Sequence, residues 1–132
     1  MILLVDDKPL FIAPLKEAFD AAGFIINLAM TADECIQIVR SRDPIDAIVL
    51  DVMLPPGSMD LPEVDYGMNT GLVLLNMIRE SRPFIPIILH SVRDDLSAVE
   101  THDRLTIVAS KSGATPAELV KLVESVVRSQ PE

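Results

Sequence analysis

Apolar residues gather in five short runs along the chain: ILLV at 2–5, FIINLA at 24–29, IDAIVL at 45–50, FIPIIL at 84–89 and LTIVA at 105–109. Most lack the apolar/polar alternation of a half-solvated sheet, so they read as strands covered on both faces. Segments of helical period separate them, near 10–22, 32–42, 71–82, 94–102 and 116–129. Two helix starts carry capping-box spacing, Thr31 with Glu34 and Thr115 with Glu118, and Pro116 takes the first helical position after Thr115. Pro14 falls where the first helix should already be running, so that helix either starts late, near Ala13, or is kinked there. In the last helix Leu119, Leu122, Val123 and Val126 form a core stripe, which Val120 and Val127 widen. The extra width means deeper burial or a surface for a partner. Strands alternating with helices in this order predict an α/β fold, an open doubly wound parallel sheet with right-handed crossovers.

Composition narrows the class. Of 132 residues, 20 are acidic and 11 basic, a net charge of −9, with 49% hydrophobic and 23% charged. This is one domain's worth of chain with a full core, neither disordered nor fibrous. The negative balance argues against direct nucleic-acid binding, which needs clustered Lys and Arg, and favours a cationic partner or metal ion. A single cysteine, Cys35, precludes an intrachain disulfide and suits a reducing compartment. The short run at 2–5 meets Asp6 and Asp7 at once, and no stretch approaches the roughly 18 apolar residues of a membrane span. A cytoplasmic location follows as the expectation.

In a doubly wound sheet the ligand site lies at the carboxyl ends of the strands. The residues there are Asp6 and Asp7 after the first strand, Asp51 after the third, Ser91 after the fourth and Lys111 after the fifth. Two carboxylates about 5 Å apart repel by roughly 3 kcal/mol at an effective dielectric near 20. A third acid adds to that cost, and a divalent cation relieves it. Oxygen donors without His or Cys suit a hard ion such as Mg²⁺, and Lys111 adds a fixed positive charge.

At these positions the chain resembles the receiver domain of two-component response regulators. The resemblance spans nearly the whole chain and rests on ILLVDD at 2–7, IVLDVMLP at 48–55, PIILHS at 86–91 and ASKSG at 109–113. Asp7, Asp51, Ser91 and Lys111 follow one another at intervals of 44, 40 and 20 residues. It implies a flavodoxin-like (βα)5 fold, three layers deep, with strand order 2-1-3-4-5, and a single receiver domain over 1–132 with residues 129–132 opening a linker. It also implies that Asp51 accepts a phosphoryl group from the phosphohistidine of a sensor histidine kinase or phosphotransfer protein. Asp7 and Asp51 would ligate Mg²⁺ directly with the backbone carbonyl of Met53, Asp6 would act through water, and Ser91 and Lys111 would bind phosphoryl oxygens. Such a domain is a self-resetting signalling switch rather than a multiple-turnover enzyme. In the family, the face built from the fourth and fifth helices and the fifth strand is the usual contact surface for a second copy or output partner, and Val120 and Val127 are candidates for it.

The chain departs from the family pattern in several places. Residues 55–70, PPGSMDLPEVDYGMNT, extend the loop before Gly71, the glycine expected to open the third helix; with Asp60, Glu63, Asp65 and Tyr66, the loop reads as solvated or as a lid. Ser112 and Gly113 replace the family's proline after Lys111, and the glycine is expected to lend that loop freedom. The usual aromatic of the fifth strand is Val108, flanked by Ile107 and Ala109. Met53 and Arg93 stand where they could shield an acyl phosphate, and His90 reads as a packed or solvent-edge histidine rather than an acid-base group. The alternative function is a pseudo-receiver, the same fold used as a phosphorylation-independent interaction module. A haloacid-dehalogenase-type hydrolase fails because its second acid would fall at Met53. The chain's end at 132 leaves two expectations: a single-domain regulator, or a piece of a longer one.

Overall fold

The computed structural model describes residues 1–59, 62–65, 67–96, 99 and 104–128. Five strands, β1 (Ile2–Val5), β2 (Ile26–Ala29), β3 (Ala47–Leu50), β4 (Ile87–Ser91) and β5 (Thr106–Ser110), alternate with helices α1 (Pro9–Ala21), α2 (Ala32–Val39), α3 (Thr70–Ser81) and α4 (Pro116–Arg128). All strand pairs are parallel, in the order β2-β1-β3-β4-β5. This is the flavodoxin-like order expected. The helix anticipated at 94–102 lies largely outside the described residues, as do Asp60, Tyr66 and 129–132.

Each strand feeds both faces of the sheet. Leu3, Val5, Ile48, Leu50, Ile87 and Leu89 pack with Cys35 and Val39 of α2 and Leu74, Leu75 and Ile78 of α3. Their neighbours Ile2, Leu4, Ala47, Val49 and Ile88 pack with Ile12, Leu15 and Phe19 of α1 and Leu119, Val120 and Val123 of α4. Every residue of β1 and β3 is therefore buried, at about 1.5–3 kcal/mol for each large side chain. Phe19 meets Phe24 edge to face at 5.7 Å. Burial pushes the Cys35 thiol up to about 12, so it stays protonated.

Both threonines cap their helices, Thr31 Oγ1 and Thr115 Oγ1 each accepting from the backbone N–H three residues on at 3.1 Å, but the return half of each box differs: Glu34 accepts from the Met30 amide and Glu118 from the Thr115 hydroxyl. The late start for the first helix is overturned. Pro9, not a residue near Ala13, opens α1, because a proline at the first position gives up no helical hydrogen bond; Pro14 lies inside the helix on its exposed side. Val120 is buried against the α1 side of the core, which removes it from any exposed contact surface, and Val127 packs half-buried beside it. No described helix is long and apolar enough to cross a membrane.

The long loop is also not simply solvated. Met59 and Val64 are buried in the α2–α3 side of the core, and a short 3-10 turn spans Pro62–Val64. Asp33 of α2 holds the loop from outside, accepting from both the amide and the hydroxyl of Ser58. Those hydrogen bonds keep the Asp33 carboxyl below its usual range. Thr70 opens α3 and Gly71, anticipated at that start, is its second residue, beneath Asp51: the Gly71 N–H donates to Val52 O at 2.7 Å, and Thr70 Oγ1 donates to Leu54 O at 2.7 Å.

Candidate functional site

Because β1, β3 and β4 run in register, Val5 beside Leu50 and Leu50 beside Leu89, the residues after them leave the sheet along one edge. Asp6 and Asp51 are buried there and Asp7 is half-buried. One carboxylate oxygen from each lies within 4.8 Å of the others. Such a cluster needs compensating positive charge.

Two ammonium groups supply it. Lys111 arrives from the end of β5, 1% exposed, with Nζ 2.8 Å from Asp6 Oδ2 and 3.2 Å from Asp51 Oδ2. The same Nζ stands 4.2 Å above the centre of the Phe11 ring, a cation–π contact that seats it from below. On the other side, Lys8 Nζ donates to Asp7 Oδ1, Asp51 Oδ2 and the Met53 carbonyl oxygen, each at 2.9 Å. Burial pulls the Lys8 ammonium down, but its hydrogen bonds to Asp51 and Asp7 outweigh that and hold it above the ordinary lysine range.

These three oxygens converge on one point occupied by a cation, and they are hard donors of the kind that Mg²⁺ prefers. The donor set therefore fits a divalent metal. Asp6 stands outside that trio, with Oδ1 accepting from the Lys8 amide at 2.9 Å and Oδ2 from Lys111.

Ser91 is buried at the end of β4, its Oγ accepting from the Arg93 amide at 3.2 Å, and it makes no hydrogen bond to Asp51. Arg93 does not screen Asp51. Its guanidinium donates to Met68 O at 2.9 Å, to Asn69 Oδ1 at 2.6 Å and to both oxygens of Asp95, so it straps the long loop to the segment after β4. The turn after Lys111 is held by hydrogen bonds. Gly113 does not take a left-handed conformation, and Ser110 fixes the turn: its carbonyl accepts from Ala114 N at 3.1 Å and its Oγ from Ser112 N at 3.2 Å.

His90 is buried beside this edge and lines a groove of about 280 Å³ with Leu10, Phe11, Pro14 and Lys111. Burial, reinforced by the charge of Lys111 and opposed by that of Asp6, lowers its pKa to about 4.

The strand-end pattern thus identifies Asp6, Asp7, Asp51 and Lys111 as neighbours. It misses Lys8 and Phe11. Lys8 carried a signal, an ammonium one residue past a double acid, but only the fold shows that its side chain turns back across to Met53.

Comparison with known proteins agrees with this architecture. The family model of the response regulator receiver domain matches residues 2–109. The transcriptional regulatory protein TrcR of Mycobacterium tuberculosis is 31% identical over 127 residues, covering 96% of this chain and 42% of that protein. Among solved structures, the CheY-like receiver domain protein of Methanospirillum hungatei superposes with a TM-score of 0.78 at 21% identity, covering 96% of this chain and 92% of that one. The BeF3-activated receiver domain of Nitrogen Regulatory Protein C gives 0.77 at 25% identity, covering 100% and 97%. The chain spans less than half the length of TrcR and of the next relatives it matches. Sheet order, edge chemistry and family match converge, and the chain belongs to the response regulator receiver domains of two-component systems.

Proposed function

We propose that this receiver domain accepts a phosphoryl group on Asp51 in a Mg²⁺-dependent reaction and thereby switches protein–protein contacts. The observation that carries the reading is the setting of the Asp51 carboxylate: 2% exposed, at a strand end, with one oxygen within 3.2 Å of two separate ammonium groups and two further acids alongside. Such fixed positive charge lowers the cost of bringing a dianionic phosphoryl group to an anionic nucleophile.

The donor is the phosphohistidine of a sensor histidine kinase or phosphotransfer protein. An Asp51 carboxylate oxygen forms the new O–P bond, the P–N bond breaks, and the imidazole keeps the electron pair and takes up a proton. Water later cleaves the acyl phosphate and restores the carboxylate, so the domain resets itself. Asp7, Asp51 and the Met53 carbonyl would hold Mg²⁺, with Asp6 acting through water since both its oxygens already serve protein donors. When bound, the ion neutralises negative charge on the transferring phosphoryl oxygens. Lys111 pairs with another phosphoryl oxygen. Ser91 Oγ accepts a hydrogen bond at present, which leaves its own proton free to donate to a third.

The test is incubation with Mg²⁺ and acetyl phosphate, followed by intact mass. The expected result is one added phosphoryl group on the wild type and none on Asp51→Ala. An adduct that survives Asp51→Ala, or none on the wild type, overturns the proposal and leaves a phosphorylation-independent interaction module.

A further inference from the structure

We propose that Lys8 is a built-in competitor for the divalent cation: its ammonium occupies the metal position and must swing out before the ion can bind. The inference rests on the Mg²⁺ reading above and deepens it.

Three observations carry it. Lys8 Nζ uses its three N–H groups on Asp7 Oδ1, Asp51 Oδ2 and Met53 O, all at 2.9 Å. These are the oxygens that would ligate the metal. An ion of the Mg²⁺ class needs its oxygens at about 2.0–2.1 Å, so an ion among those three would fall on top of the nitrogen, and the two occupants exclude each other. Charge gives the same answer. Three carboxylates against the ammonium groups of Lys8 and Lys111 leave a single net negative charge, a weak attraction for a dication; with Lys8 withdrawn, the pocket carries two.

The two lysines also differ in whether they can leave. Lys111 is 1% exposed, seated on Phe11 and enclosed, whereas the Lys8 side chain is 38% exposed on a flexible four-carbon stem with open solvent beside it. Lys8 therefore acts as an exchangeable counter-ion and Lys111 as a permanent one. Without metal, Lys8 keeps the acids from repelling one another. Its withdrawal is a cost that the ion must meet, so the domain loads only when free Mg²⁺ is high enough to displace it.

Isothermal titration of MgCl₂ into the full chain at fixed ionic strength, with metal-free melting temperatures alongside, tests this on wild type, Lys8→Met, Lys8→Gln and Lys16→Met. Lys16 is exposed on α1, so its loss changes net charge equally without touching the pocket. Both Lys8 variants should bind Mg²⁺ about tenfold tighter, the gain from not breaking partly exposed charge-assisted hydrogen bonds, while Lys16→Met stays within about twofold of wild type. The Lys8 variants should also melt lower without metal and gain more on adding it. Equal affinity in wild type and Lys8→Met, or the same shift in Lys16→Met, overturns the inference while leaving the metal reading intact. Absence of Mg²⁺ binding in every form overturns both.

Discussion

His90 shows how one residue ties the site to stability. Its ring is buried, its Nδ1 has no hydrogen-bond partner among the described residues, and burial next to Lys111 brings its pKa down to about 4. In the unfolded chain the same ring titrates near 6.5. Below that pH the unfolded state takes up a proton that the folded state refuses, so stability falls as pH drops from 6.5 toward 4 and is level above. Between pH 7 and pH 5 this one group should remove about 2 kcal/mol of unfolding free energy. Urea denaturation at the two pH values checks it: His90→Asn should lose less than the wild type by that amount. An equal loss in both would mean that His90 is protonated within the fold. The sequence shows His90 inside an apolar run, and packing follows from that. What it hides is side-chain reach. The proximity of Asp6, Asp7, Asp51 and Lys111 follows from backbone register alone, whereas Lys8 and Phe11 enter through χ angles that no strand pattern encodes.

At the scale of elements, the junction between β3 and α3 is where backbone geometry fixes Asp51. A Cβ on Gly71 would stand 2.2 Å from Asp51 O and 2.5 Å from Val52 Cα, both main-chain atoms that cannot step aside. Alanine is the better helix former by about 1 kcal/mol, but overpacking against backbone costs about 1–3 kcal/mol or more and should win. Gly71→Ala should therefore destabilise the domain and impair phosphorylation of Asp51 together. Gly113→Ala is the contrast: its nearest neighbour is Ser110 Cβ at 3.5 Å, and stability should stay within about 0.5 kcal/mol. Chemical denaturation of both variants decides it, and a Gly71→Ala protein as stable as Gly113→Ala would show that α3 does not brace Asp51. Element order and strand identity were legible because burial on both faces leaves continuous apolar runs. The loop at 55–70 was not. Its Pro, Gly and acidic residues mark irregular backbone correctly, but the apolar Met59 and Val64 are too sparse to announce a period, so their docking in the core emerges only once α2 and α3 are in place.

Across the whole molecule, the net charge of −9 acts in two separable ways. Spread over the surface, it repels itself and weakens the compact state, a long-range effect that salt screens beyond about 10 Å at 0.1 M. Concentrated at Asp6, Asp7 and Asp51, it forms a candidate cation site that salt screens poorly because those groups are buried or half-buried. NaCl and MgCl₂ at matched ionic strength should therefore both raise the melting temperature, with MgCl₂ raising it further. Mass action sets the excess: an ion at a hundred times its dissociation constant stabilises by about 2.7 kcal/mol, or about 10 °C for a domain of this size. Asp7→Ala removes one of the three converging oxygens and leaves the rest of the surface charge in place. In that variant the NaCl increment should survive and the Mg²⁺ excess should vanish. If the excess persists without Asp7, the stabilisation comes from diffuse screening by a divalent ion rather than from the strand-end pocket.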